Sequence, residues 1–330
     1  MIDRRHLLSG TVTLAAASWI GGGISARAQT GPLRIGSVKF GSLNWLLDTI
    51  KAEGLDTKSG ANLIPVELAN NQAGPISLLS GGSDIIVSDW PWALRQRGLG
   101  EPLKFSPFSA TLGGVMVPAA SPVQSLADLA GKRLGVAGSG IDKSWLLLQA
   151  YAHKALGLDL ASKATIQYGA APLLTEQLRS GSLDGMLNFW TQNVRLPAGE
   201  FRELISMKNA LGGLNVDPIP AFVGFIWKES LEQSNPDGLS SFLTAIAAGN
   251  GVLATSDAAW ERLKPSLKVQ SDAEFDAIKR AYRAGIVPSW RAADAKSAEK
   301  LMQLLIDAGD QELIGAKTTF DPKLFPKTVP

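Results

Sequence analysis

"SPVQSLADLAGKRLGVAGSG", Ser121 to Gly140, sets a turn, a helix start and a strand side by side. Ser125 stands where a helix N-cap is wanted, and Leu126-Ala127-Asp128-Leu129 reads as a helical turn closed by Gly131. Leu134 to Ala137 is then a short apolar strand. Gly138-Ser139-Gly140 forms a flexible loop before the helical run Ser144 to Leu156. A strand that passes into a helix through a glycine loop is half of a βαβ unit.

The same alternation extends in both directions. Upstream, Leu33–Val38, Ala61–Leu68 and Asp84–Val87 read as strands, with helices at Asn44–Glu53, Gly74–Ser80 and Trp92–Arg97. Val115–Pro118 reads as a strand leaving this unit. Downstream, Thr165–Tyr168 and Asp184–Asn188 are strands with the short helix Leu173–Arg179 between them. Phe222–Trp227 reads as a strand re-entering the first unit. Helices follow at Leu239–Leu253, Asp257–Leu263, Asp272–Ala284 and Ala292–Ala308, then an irregular Pro-rich tail after Lys317. The pattern predicts an α/β protein with mainly parallel sheets and no internal repeat.

Composition narrows the function. Asp3-Arg4-Arg5-His6-Leu7-Leu8 precedes an uncharged run from Ser9 to Ser25, and Ala26-Arg27-Ala28 supplies small residues for cleavage before Gln29. Residues 1–28 are read as a signal peptide. Its arginine pair is similar to a twin-arginine export signal, with Leu7 where Phe is usual. Removing Arg4, Arg5, Arg27 and Asp3 from 32 basic and 30 acidic residues leaves 29 of each. No surplus positive field then remains to attract nucleic acid or an anionic membrane. The chain has no cysteine, which rules out disulfides and a lipidated cysteine. His153 is the sole histidine after Ala28, which excludes Cys/His zinc sites and leaves one candidate for a Ser-His-Asp base. It sits in the helical stretch "WLLLQAYAHKAL" and reads as a residue at the solvent edge. No metal or cofactor is expected.

The opening stretch, together with "ALGLDLASKATIQYG" and "EQLRSGSLDGMLNFW", resembles the second domain of bacterial periplasmic solute-binding proteins. "IGSVKFGSLNWLLDTIKAEGLDTKSGANLIPVEL" is similar to the aliphatic-sulfonate, taurine and nitrate branch of ABC-transporter binding proteins. The resemblance spans nearly all of the chain after residue 28. It implies a periplasmic-binding-protein type II-like fold, with two α/β domains, a hinge and an interdomain ligand cleft. The first domain would comprise 29–118 and 223–330, and the second 119–222. Crossings fall at about Pro118–Pro122 and Ile219–Val223.

In open α/β sheets, ligands bind beyond the carboxyl ends of the strands. The loops there nominate the site. Lys39, Ser42, Asn44 and Trp45 follow the first strand, and Ser42 either caps a helix or meets an anionic head group. Asn71 and Gln72 follow the second strand. Asp89, Trp90 and Trp92 follow the third, with Trp90 expected to face the ligand more than Trp92. Ser139, Gly140 and Lys143 open the long helix as a modest anion site, since the spacing fits neither a P-loop nor a dinucleotide fingerprint. Asn188 and Trp190 end a second-domain strand. So many aromatics favour a ligand with an apolar or π portion.

The function expected on this resemblance is the periplasmic, monomeric, substrate-binding component of an ABC importer. It would capture a small organic solute, anionic or aromatic, by domain closure, and deliver it to a permease with its ATPase. A ligand-sensing or metal-chelate-scavenging binding protein is the alternative. An enzyme related to thiamine-pyrimidine precursor synthases is remote, because those need cysteine and histidine chemistry.

Overall fold

A computed structural model describes residues 30–39, 41–140, 142–287, 290–307 and 318–325. The signal peptide read at 1–28 lies outside the described residues.

The strands, in chain order, are β1 (Leu33–Val38), β2 (Leu63–Leu68), β3 (Ile85–Asp89), β4 (Leu103–Ser109), β5 (Gly114–Pro118), β6 (Arg133–Ala137), β7 (Thr165–Gly169), β8 (Gly185–Asn188), β9 (Phe201–Ser206) and β10 (Val223–Lys228). They form two five-stranded sheets, ordered β2-β1-β3-β10-β4 and β7-β6-β8-β5-β9. In each sheet three strands run parallel, and the fourth enters antiparallel between the third and the edge. The α/β two-domain arrangement expected from the sequence is therefore observed, with mixed rather than mainly parallel sheets.

Helices cover the faces. The first lobe carries α1 (Ser42–Ala52), α2 (Leu55–Ser59), α3 (Ala73–Leu79) and α4 (Trp90–Gly98). The second carries α5 (Lys143–Leu156), α6 (Leu160–Lys163), α7 (Ala171–Arg179), α8 (Trp190–Asn193) and α9 (Met207–Gly213). After β10 come α10 (Leu231–Ser234), α11 (Pro236–Thr255), α12 (Asp257–Leu267), α13 (Asp272–Gly285) and α14 (Ala292–Asp307). α5 shows why these helices form where they do. Asp142 caps its N-terminus by accepting from Ser144 N at 2.9 Å, and Gly157 ends it in the left-handed region at φ 63°. Trp145, Leu147 and Leu148 form its buried face. Burying each such side chain is worth about 1.5–3 kcal/mol. At the opening stretch, Ser125 and Asp128 form a reciprocal capping box over a 3₁₀ turn at Leu126–Leu129.

Four features differ from the sequence reading. β5 was expected to leave the first unit, but it hydrogen-bonds to β8 and β9 in the second sheet. The first crossing therefore lies at 110–113, earlier than Pro118–Pro122. An apolar strand carries no local mark of which sheet will receive it. β4 and β9 were not foreseen. Both are edge strands, β4 holding Pro107 and β9 holding Arg202 and Glu203, residues tolerated where one side of the ladder faces solvent.

α14 was assigned to the first domain, yet it ties to the second lobe. Lys154 Nζ donates to Leu304 O at 2.7 Å, and Lys300 Nζ donates to Asn215 O at 2.6 Å. Its Leu301, Met302 and Leu305 belong to one apolar core that runs from Trp90 and Phe105 to Trp145 and Leu148. The chain then returns to the first lobe, where Leu324 and Phe325 are buried.

The fourth difference is a structural repeat at an offset of about one hundred residues. β1, α3 and β3 of the first lobe correspond to β6, α7 and β8 of the second, and each α3/α7 helix ends on Ser-Gly with that glycine at positive φ. At an offset of one hundred Leu78, Ser80, Gly81, Asp84 and Trp90 recur as Leu178, Ser180, Gly181, Asp184 and Trp190, a trace of the repeat that the sequence reading passed over.

Candidate functional site

The carboxyl ends of both sheets open onto one cleft of about 490 Å³, lined from both lobes and by the crossing segment. Of the residues nominated from sequence, Ser42, Asn71, Gln72, Asp89, Trp92, Ser139, Lys143 and Trp190 line it. Lys39, Asn44, Trp45, Trp90, Gly140 and Asn188 do not.

The reasons are local. Asn44 holds the loop after β1 in shape: its Nδ2 donates to Val38 O and Lys39 O at 2.9 and 3.0 Å, and Ser37 donates to its Oδ1. Lys39 turns outward to Glu67, 3.4 Å away. Trp45 is a core residue that meets Trp190 edge-on at 5.9 Å between ring centroids, and also packs on Trp260 and Tyr282. Gly140 stands against the Tyr168 ring, and Asn188 is buried, donating to Ala171 O at 2.9 Å and accepting from Phe189 N at 2.8 Å.

The two tryptophans of the β3–α4 junction exchange their expected roles. Trp90 is fully buried between Phe222, at 4.9 Å, and Phe325, at 6.3 Å, while Trp92 lines the cleft. Asp89 fixes this choice. Its Oδ1 accepts from Trp92 N at 2.9 Å, so the helix begins at Trp90 and the first side chain turns into the core.

The site also includes residues that the sequence reading passed over. Phe108, Ser109, Thr111, Leu112 and Gly113 line the cleft because the first crossing runs through it. Thr111 Oγ1 donates to Ala281 O at 3.1 Å, and Ala110 N to Gly285 O at 2.9 Å, which anchors that segment on α13. Gly169 to Pro172 contribute the junction of β7 with α7, Phe189 and Gln192 that of β8 with α8, and Arg95 and Asp142 reach in from α4 and the α5 cap. A strand-end rule applied to β7 would have reached Gly169 to Pro172, although no polar residue marks them.

Charge in the cleft is balanced, with Asp89 and Arg95 from the first lobe and Asp142 and Lys143 from the second. Burial pushes the Asp142 carboxyl up from the usual range. The neighbouring Lys143 pulls it back, and the Asp89 charge across the cleft pushes the same way as burial. Lys143 Nζ lies 5.7 Å from the centroid of the Phe189 ring. The N-terminus of α5, offered to an anion by the sequence reading, holds Asp142 instead, and that of α4 holds Asp89. α1 has Gly41 at its N-cap and no side-chain cap. Among the described residues, no group of three or more His, Asp or Glu side chains could hold a metal ion.

The lobes touch beside the cleft. Arg195, just after α8, donates to Glu274 Oε1 on α13 at 2.7 Å and to Leu267 O at 3.1 Å. Both side chains of that ion pair are largely shielded from solvent.

Residues 53–256 match the family described as NMT1/THI5 like. No curated protein matches the chain. Among solved structures, the alkanesulfonate-binding protein SsuA from Xanthomonas axonopodis pv. citri bound to MOPS is 18% identical, with TM-score 0.70, covering 90% of this chain and 99% of that one. The periplasmic aliphatic sulphonate binding protein SsuA from Escherichia coli is 16% identical, with TM-score 0.66 and coverages of 87% and 94%. The Candida albicans CA3427 gene product, described as exhibiting the generic periplasmic binding protein structural fold, is 16% identical, with TM-score 0.59 and coverages of 88% and 98%. At these identities the likeness is one of fold.

Proposed function

The chain belongs to the NMT1/THI5-like family, and on that premise we propose that it is the periplasmic substrate-binding component of an ABC importer. The observation that carries this reading is the cleft: both sheets direct their strand ends into it, and both lobes line it. A small organic solute enters, the lobes close about the crossings at 110–113 and 214–222, and the loaded form engages a permease with its ATPase. Binding couples to closure only through a difference in affinity between the open and closed states. The protein acts as a monomer and not as an enzyme. The likeness to sulfonate-binding structures supports the solute-binding role.

Denaturing the purified protein and identifying the released small molecule by mass spectrometry tests the reading. Returning that molecule to refolded protein should shift tryptophan fluorescence, because Trp92 and Trp190 line the cleft. A protein that releases nothing, and whose fluorescence and calorimetry respond to no small solute, is not a binding component. Export by the twin-arginine route predicts that replacing Arg4 and Arg5 with Lys stops delivery to the periplasm, and continued delivery would assign the general secretory route.

A further inference from the structure

Asp89 and Asp142 approach the cleft from opposite lobes, one at the start of α4 and the other at the start of α5. Each carboxylate uses one oxygen to cap its own helix, so both are fixed in place by the fold. Neither joins an ion pair among the described residues. Both line one cleft together with Trp92, Phe189 and Trp190, and the charge of Asp89 opposes ionisation of Asp142, though less strongly than Lys143 favours it. The helix amides that would receive an anion at these two places are already taken.

An organic cation in the cleft meets both carboxylates and aromatic faces that attract positive charge. The wall already accepts such a charge, for Lys143 rests over the Phe189 ring. Arg95, the other cation of the cleft, has an interaction of its own.

Resting on the reading of this cleft as the solute site, we propose that the solute is a planar organic cation. It is an aromatic or conjugated body bearing a protonated amine or amidinium, held between Asp89 and Asp142 with its ring against Trp92, Phe189 and Trp190. Because the two carboxylates belong to different lobes, the cationic group joins the lobes only when both are engaged. The charge that selects the solute is then also what favours closure.

Benzamidine and benzenesulfonate test this, being one ring with opposite charges. Calorimetry on the purified protein, freed of bound solute by unfolding and refolding, should show benzamidine binding at least tenfold more tightly. Asp89→Asn and Asp142→Asn keep the helix caps, because asparagine caps as well as aspartate. Each should weaken benzamidine about tenfold and leave the melting temperature within a few degrees. Benzenesulfonate binding as tightly as benzamidine overturns the proposal while leaving a solute-binding cleft. So does unchanged benzamidine affinity in both variants. Binding of neither probe, in a protein that also releases no small molecule on denaturation, overturns the importer reading as well.

Discussion

The two lobes solve one structural problem with the same parts. In the first, Arg34 at the start of β1 donates from its backbone N, Nε and Nη2 to Asp84, and from Nη1 to Gly81 O. In the second, Arg133 at the start of β6 donates from its backbone N, Nε and Nη2 to Asp184, with Nη2 also donating to Gly181 O. Each clamp closes the amino end of a parallel strand pair, which leaves the opposite end of the sheet free to form the cleft. At that end the lobes diverge. The β3–α4 junction buries its first aromatic residue, Trp90, and presents the second, Trp92, whereas the β8–α8 junction presents both Phe189 and Trp190. The shared end supports the fold, and the divergent end decides what the cleft receives.

The largest effect should come from breaking that divergence. Trp90→Ala removes a fully buried ring and should cost about 3–5 kcal/mol in chemical denaturation. Trp92→Ala and Trp190→Ala should spare more of the stability and weaken the cleft's solute about tenfold or more by calorimetry. If Trp90→Ala binds poorly but unfolds normally, the assignment of core and wall is reversed.

Next come the inserted antiparallel strands. A Cβ at Gly224 of β10 would collide with Ser106 O, and one at Gly114 of β5 would lie 2.6 Å from Ile205 O. Backbone cannot yield as a side chain can, so each glycine-to-alanine change should destabilise by about 1–3 kcal/mol, seen as a lower melting temperature. Equal losses would extend the kinship of the lobes to these strands.

The clamps sharpen the comparison through pH. The hydrogen-bonded Arg133 guanidinium holds the Asp184 carboxyl down at about 2, against the pull of partial burial. Since the folded value lies below the unfolded one, the stabilisation is fully present above pH ~4 and is lost as pH falls through about 2. Asp184→Asn should cost about 1 kcal/mol at neutral pH once solvent screening is allowed for, and should flatten the acid limb of the stability curve. Asp84 is lowered as well, with Arg34 overcoming a larger opposing burial, so Asp84→Asn should act in the same direction.

The smallest effect belongs to Lys39. Its pairing with Glu67 is exposed on both sides, so Lys39→Ala should change stability by less than about 0.5 kcal/mol and leave solute affinity unaltered.

How much of this was written in the sequence depended on burial. β1 and β6 lie between neighbours and read as apolar runs, so their limits were found to within a residue. The edge strands β4 and β9 carry proline and charges because an edge tolerates them, and those residues masked the strands. The strand-end rule reached Gln72, Asp89, Ser139 and Trp190, since loop position follows from strand order. It could not orient Trp90 against Trp92, which depends on where the Asp89 cap starts the helix. Nor could it find Thr111 and Phe108, whose place follows from the sheet that β5 joins.

The position of β10 has one more consequence, for the order in which the chain matures. Every strand of the second sheet is complete once residue 206 has been synthesised, but the first sheet lacks the strand between β3 and β4 until residue 228. The lobe that begins first therefore finishes last. A nascent chain on the ribosome would carry an open seam in its leading half while its trailing half is already assembled.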